Sequence, residues 1–193
     1  MRFYRRDDLG ERLAWLVSTV FHPAVLVPVT GLLTLFRSGL DISGAVFFTS
    51  LWVLCSVLPT LTVASFVSET GFRVHRRAER WKPELAAFLM SLFTLGVSYW
   101  LGAPELVLKA GVLLAVFIPV WSVANRFDKL SVHVGAAVVS FTVLSGTYLN
   151  PAISAICAVS VVWSRLVLDA HTRAQVLEGA FLGALIAVSF ISI

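Results

Sequence analysis

Glu105-Leu-Val-Leu-Lys-Ala-Gly-Val-Leu-Leu-Ala-Val-Phe-Ile-Pro-Val-Trp-Ser-Val-Ala124 is the stretch whose reading decides the fold. It has the roughly 20 residues that a helix needs to cross a hydrocarbon core about 30 Å thick. Its charges, Glu105 and Lys109, both lie near the start. Working outward, similar apolar runs lie upstream at Leu13 to Phe36, Ser43 to Val67 and Glu84 to Leu101. Three more lie downstream at Ser131 to Leu149, Pro151 to Leu168 and Thr172 to Ile193. The tight connectors Gly102-Ala103-Pro104 and Asn150-Pro151 suit helical hairpins. The expectation is an all-α, polytopic transmembrane helix bundle of about six to seven spans.

The whole chain agrees with that reading. Its 193 residues are 58% hydrophobic and 13% charged, with a mean hydropathy of +0.88. Soluble domains carry about 25% charged residues. A water-soluble fold of this size has no way to hide so much apolar surface, and helices satisfy their own backbone in lipid. No internal repeat or low-complexity tract breaks the chain, so 1–193 is expected to be one transmembrane domain, with N-terminal spans over 1–67 and a catalytic core over 68–193. Arg2, Arg5 and Arg6 imitate the basic region of a signal peptide. The apolar run behind them is too long and lacks a small-residue cleavage site, so it reads as a first span. Cys55 and Cys157 sit in apolar runs without metal-ligand spacing and read as buried thiols.

Counting crossings puts all Lys and Arg residues except Arg37 and Lys109 on one face. The positive-inside rule makes that face cytoplasmic, in the plasma membrane of a prokaryote. Arg2, Arg5, Arg6 and Arg12 belong to no motif and still favour that orientation.

Ionisable groups at span ends are expensive unless they pair or face a cavity, so they mark function by default. Three clusters reach the charged face: Gly71-Phe-Arg-Val-His-Arg-Arg-Ala-Glu-Arg-Trp-Lys-Pro83, Lys129-Leu-Ser-Val-His133, and Ser164-Arg-Leu-Val-Leu-Asp-Ala-His171-Thr-Arg-Ala-Gln175. Guanidinium forks match phosphate oxygens. Phosphoryl transfer needs such positioning, a nucleophile and a proton donor for the leaving oxygen. Two histidines fill the last two roles with no metal and no cofactor.

These residues carry a resemblance to the type 2 phosphatidic acid phosphatase (PAP2) superfamily, which includes lipid phosphate phosphatases and is related to vanadium haloperoxidases. Ser164, Arg165 and His171 resemble its Ser-Arg-x5-His signature, and Ser131-Val-His133 resembles Pro-Ser-Gly-His. The loop from Arg73 to Pro83 resembles Lys-x6-Arg-Pro, with Arg73 and Arg80 at the matching separation. The resemblance implies that His171 is the nucleophile and His133 protonates the departing alkoxide. It implies that Arg73, Arg80 and Arg165 hold the phosphoryl oxygens, helped by Ser131 and Lys129. The implied substrate is a lipid or prenyl phosphate whose tail stays among the membrane lipids; no nucleic-acid partner is expected.

The chain departs from the pattern at several positions. Arg73 replaces Lys, Leu130 and Val132 replace Pro and Gly, and Lys82 rather than Arg80 precedes Pro83, which keeps Arg76 and Arg77 as alternatives. Gln175 stands four residues after His171, where the family places an Asp that orients the imidazole. On a helix the two share a face, so the amide oxygen is in place to accept a hydrogen bond from the ring, but it supplies no negative charge. Asp128 and Asp169 are the candidate carboxylates to take the place of that Asp. His22, beside Pro23, reads as a histidine packed at a proline kink, and Trp81 and Trp100 read as interfacial anchors. The competing readings are a non-catalytic lipid-phosphate binder, with Gln175 the mark of a decayed site, and a small anion transporter.

Overall fold

With no water to bond their backbone, long apolar runs close their hydrogen bonds internally and become helices. The computed structural model describes residues 8–37, 39–67, 81–145 and 148–192. Among these the regular structure is helical, with one isolated bridge between Ser145 and Leu149. In chain order the helices are α1 (Leu9–Val20), α2 (Pro23–Arg37), α3 (Ile42–Trp52), α4 (Leu58–Val67), α5 (Trp81–Trp100), α6 (Glu105–Phe127), α7 (Val132–Leu144), α8 (Pro151–Val167) and α9 (Arg173–Ser192). A π-helical turn, Val53–Val57, joins α3 to α4. Pro59 offers no N–H to the helical ladder just beyond it, and the wider turn absorbs that gap.

Among the described residues, three helices are long and apolar enough to cross a membrane: Ile42–Val67, Glu105–Phe127 and Arg173–Ser192. The first expected run is broken. α1 and α2 meet at an angle of 46° and together make a fourth candidate span. Pro23 cannot donate back into α1, and it disfavours helical backbone at His22. The fifth expected run also ends early. Tyr148 and Leu149 both donate their backbone N–H to the Leu144 carbonyl, at 3.0 and 3.1 Å, and this closes α7 at Leu144 instead of Leu149. At 1.5 Å per residue the helix is about 20 Å long, short of a hydrocarbon core.

The chain forms two compact units, divided within α2. One comprises 1–30 and 128–192, the other 31–127. In the second, Leu35, Ala45, Phe48, Ala103 and Val107 form the core. α5 and α6 are joined at Gly102 (φ +68°), where Ala103 N–H bonds the Ser98 carbonyl at 2.9 Å. Near the start of α5, Glu84 accepts from Ser122 at 2.5 Å and from Asn125 at 3.2 Å, both on α6.

The first unit packs α7 against α8 and α9, and α1 against α8. Leu26, Val134, Ala137, Phe141, Val161 and Val176 form its core, and Phe21 meets Phe141 edge to face at 5.2 Å. The approach of α9 to α7 is close enough to require glycine. A Cβ on Gly179 would lie 2.7 Å from the Ser131 carbonyl oxygen, and one on Gly183 2.5 Å from that of Gly135. These small residues, four apart, let two backbones touch, as is common between helices in lipid. Gln175 lies one turn earlier on the same face of α9.

Candidate active site

The site residues sit at the ends of α7, α8 and α9, where each helix stops for a local reason. α8 ends in a tight C-terminal turn. Ala170 N–H bonds the Arg165 carbonyl at 3.1 Å and Asp169 N–H bonds that of Leu166, also at 3.1 Å. Asp169 occupies the left-handed position of this Schellman turn, at φ 48°. Asp is one of the few residues that tolerates this conformation. Asp169, one of the two carboxylates considered beside Gln175, therefore has a backbone role.

α9 begins with a capping box. Gln175 N–H donates to Thr172 Oγ1 at 3.3 Å, and Thr172 N–H donates to Gln175 Oε1 at 3.2 Å. The segment Thr172-Arg-Ala-Gln175 is the sequence signature of that motif. Gln175 thus fixes the start of α9, and its side chain also reaches two further groups. Its Nε2 donates to Asp128 Oδ1 at 2.8 Å, and its Oε1 lies 3.3 Å from His171 Nδ1. Its main-chain carbonyl accepts from Ser131 N–H at 3.2 Å. Asp128 Oδ1 also accepts from Lys129 N–H at 2.6 Å.

The tautomer of His171 follows from its neighbours. Nδ1 faces the Lys129 carbonyl oxygen at 3.2 Å as well as Gln175 Oε1. A backbone carbonyl only accepts, and the Gln175 oxygen already accepts from Thr172. Nδ1 must carry the proton, and the lone pair is on Nε2. The ring is partly buried, which holds its pKa below the ordinary histidine value. The Lys129 and Arg165 charges push in the same direction, against the hydrogen bonds that the ring donates to Gln175 and the Lys129 backbone. Burial and both charges therefore favour the neutral imidazole over the imidazolium.

Ser131 caps α7 without a side-chain capping bond. It is fully buried, and its hydroxyl has no hydrogen-bond partner among the described residues. Lys129 Nζ reaches the Ala170 carbonyl at 3.4 Å. Arg165 Nη1 donates to Ser18 Oγ on α1 at 2.7 Å. Ser164 is buried and returns its hydroxyl to the Val161 carbonyl within α8, at 2.8 Å. Arg73, Arg80, Arg76 and Arg77 lie outside the described residues.

His133 is at the second position of α7, and its ring meets that of His22 edge to face, with centroids 4.9 Å apart. His22 Nδ1 accepts from Ala24 N–H at 3.2 Å, so a neutral His22 carries its proton on Nε2. Ser18 and His22 are the residues that the sequence reading leaves out of the site. The signal for His22 is its position directly before the proline that breaks the helix; nothing local marks Ser18.

Among the described residues, no group of three or more His, Cys, Asp or Glu side chains is placed to hold a metal ion. Comparison with protein-family models, curated proteins and solved structures finds no match.

Proposed function

We propose that the protein is an integral membrane phosphatase of the PAP2 type, hydrolysing a lipid or isoprenoid phosphate ester without metal through a phosphohistidine. The observation that carries this reading is the His171 ring. Two acceptors hold the proton on Nδ1, and two cationic side chains, Lys129 and Arg165, act on the same ring. A neutral imidazole with a free Nε2 lone pair beside positive charge suits attack on a phosphate.

In the first step Nε2 of His171 forms a bond to phosphorus as the P–O bond to the lipid alcohol breaks. His133, as the imidazolium, gives its proton to the leaving alkoxide. In the second step water attacks phosphorus and gives a proton to His133. The P–N bond breaks, returning the electron pair to Nε2 and releasing inorganic phosphate. Arg165, Lys129, the Ser131 hydroxyl and the backbone N–H groups at the start of α7 hold the phosphoryl oxygens. Arg73 and Arg80 join them in this proposal.

The membrane-level proposal is six to seven spans, with α5, α7 and α8 embedded beside the longer helices and the site at the cytoplasmic face. The substrate keeps its tail in the bilayer and presents its head to the cationic groups. A panel of lipid and prenyl phosphates, given to purified protein with EDTA present, tests this. Phosphate release that vanadate inhibits and His171→Ala abolishes is expected; full activity in that variant overturns the mechanism.

The capping box at Gln175 favours a second reading. A residue that fixes the start of α9 has reason to be present without catalysis, which suits a lipid-phosphate binder. Lipid phosphate bound by wild type and turned over by neither wild type nor any site variant would select it.

A further inference from the structure

We infer that Asp128 is a positioning residue that fixes the Gln175 amide and, through it, sets which nitrogen of His171 is unprotonated. The inference rests on the reading of His171 as the nucleophile.

A glutamine amide is two-faced. If it turned over, it would present its NH2 to Nδ1 in competition with the Lys129 carbonyl, leaving one acceptor to hold the Nδ1 proton and letting the tautomer with the proton on Nε2, which blocks attack, become populated. Two separate contacts oppose that turn. Thr172 N–H requires an acceptor, and Asp128 Oδ1 would repel an amide oxygen turned toward it. Thr172 alone is a weak guard, since its N–H at a helix start has water as an alternative partner. The Asp128 bond is charge-assisted and shorter, 2.8 Å against 3.2 Å. Asp128 is itself aimed by Lys129 N–H, whose own carbonyl accepts from His171. Asp128, Lys129, Gln175 and His171 thus form a closed ring of hydrogen bonds, in which each member restricts the next.

The arrangement also accounts for the glutamine. The charges acting directly on the His171 ring, those of Lys129 and Arg165, are positive. The carboxylate sits one side chain further out, joined through a neutral amide. The ring is oriented as a directly bonded Asp would orient it, and it stays neutral over a wider pH range.

The chain has four histidines, so nitrogen NMR of the full-length protein in detergent, labelled at histidine, reads the His171 ring directly. His171→Ala assigns the signal. The expected wild-type pattern is a protonated Nδ1 and a bare Nε2. Asp128→Ala is expected to mix the two tautomers and to lower kcat roughly 10- to 100-fold with little change in KM, the size seen for outer partners of metal-bound histidines. A second measurement does not depend on that variant folding. Gln175→Glu sets two carboxylates against each other and raises the His171 pKa. Adding Asp128→Asn relieves the clash by turning an amide N–H toward the new carboxylate, at the expense of the bond from Lys129 N–H, which shares the same Asp128 oxygen. The two changes are therefore expected to act non-additively on the His171 titration.

An unchanged His171 tautomer in folded Asp128→Ala, or additive shifts in the cycle, overturns the inference. The NMR readout needs no substrate. Wild-type protein that releases no phosphate from any lipid, with tautomers that still follow Asp128, sinks the phosphatase reading alone. Turnover with tautomers that ignore Asp128 sinks the relay alone.

Discussion

Two carboxylates, one in each compact unit, accept hydrogen bonds from neutral donors. Glu84 takes Ser122 and Asn125 of α6, and Asp128 takes Gln175 and the Lys129 backbone. The difference is what lies beyond the donor. Behind Gln175 stands an imidazole with a lone pair directed elsewhere, flanked by two cations. The Glu84 bonds run between α5 and α6 and link them as a staple. Polarity within apolar helices marks either role. The presence of a reactive atom at the end of the chain of bonds separates them.

The largest expected effect separates the two clusters outright. His171→Ala should lower phosphate release at least about 10⁴-fold, as removal of a nucleophile does, and leave the thermal midpoint nearly unchanged. Glu84→Ala should do the reverse, costing about 1–3 kcal/mol of stability through the lost acceptor while turnover of the folded fraction holds. A turnover loss in Glu84→Ala matching that of His171→Ala would erase the distinction.

Next is Gly179→Ala. Its Cβ would lie 2.7 Å from the Ser131 carbonyl oxygen, and backbone has little room to yield. Overpacking of this kind costs about 1–3 kcal/mol. Because α9 would move away from Ser131, kcat should fall together with the unfolding midpoint. Gly111→Ala, in the other unit, meets side-chain atoms of Leu95 and Trp52 at 2.8 Å and should lower the midpoint alone. Denaturation curves set beside specific activity decide it.

A smaller effect concerns pH. His171 has a depressed pKa, so below about 6.5 the unfolded chain binds a proton at this position more readily than the folded one. Stability should therefore rise with pH through the window between the depressed value and about 6.5, and the His171 contribution should level off above it. The acid limb of kcat/KM should fall below the ordinary histidine value. Lys129→Ala removes one of the charges that depress it and should move the limb upward. Midpoints and rates measured from pH 5 to 8 check both.

The smallest effect is expected at Asp169. At φ 48° it occupies backbone that glycine adopts freely. Asp169→Gly should change stability by no more than about 1 kcal/mol, in the stabilising direction, and leave activity intact. A large loss of activity would give its carboxylate a role that the turn does not.

The helical runs are legible in the sequence because bilayer-length hydrophobicity is a coarse, additive signal. Glu105–Phe127 and Pro151–Val167 match the expected Glu105 to Ala124 and Pro151 to Leu168 within a turn. What fails is local backbone chemistry inside a uniform run. The break at His22, the π-helical turn before Pro59 and the early end of α7 at Leu144 each depend on where a single N–H goes. The site divides in the same way. His171 and Gln175 share a face by spacing alone, and their contact is foreseeable. The capping box Thr172-Arg-Ala-Gln175 is also written in the sequence, though attention to a missing carboxylate hides it. The choice of Asp128 over Asp169, the hold of Ser18 on Arg165 and the His22 ring against His133 are contacts between distant segments, which no periodicity encodes.

The unit that carries His133 and His171 is assembled from both sides of an interruption, 31–127. During synthesis α1 and the His22 ring emerge ahead of the other unit, while the helices they pack against, α7 and α8, follow only after the whole of it. Chains grow at about 5–20 residues per second and domains tend to fold as units as they appear. The interrupting unit can thus settle while the proposed catalytic one still lacks most of its walls. On that timetable, competence to cleave a headgroup would come only after the interrupting unit is complete, when α9 docks and Gln175 reaches Asp128.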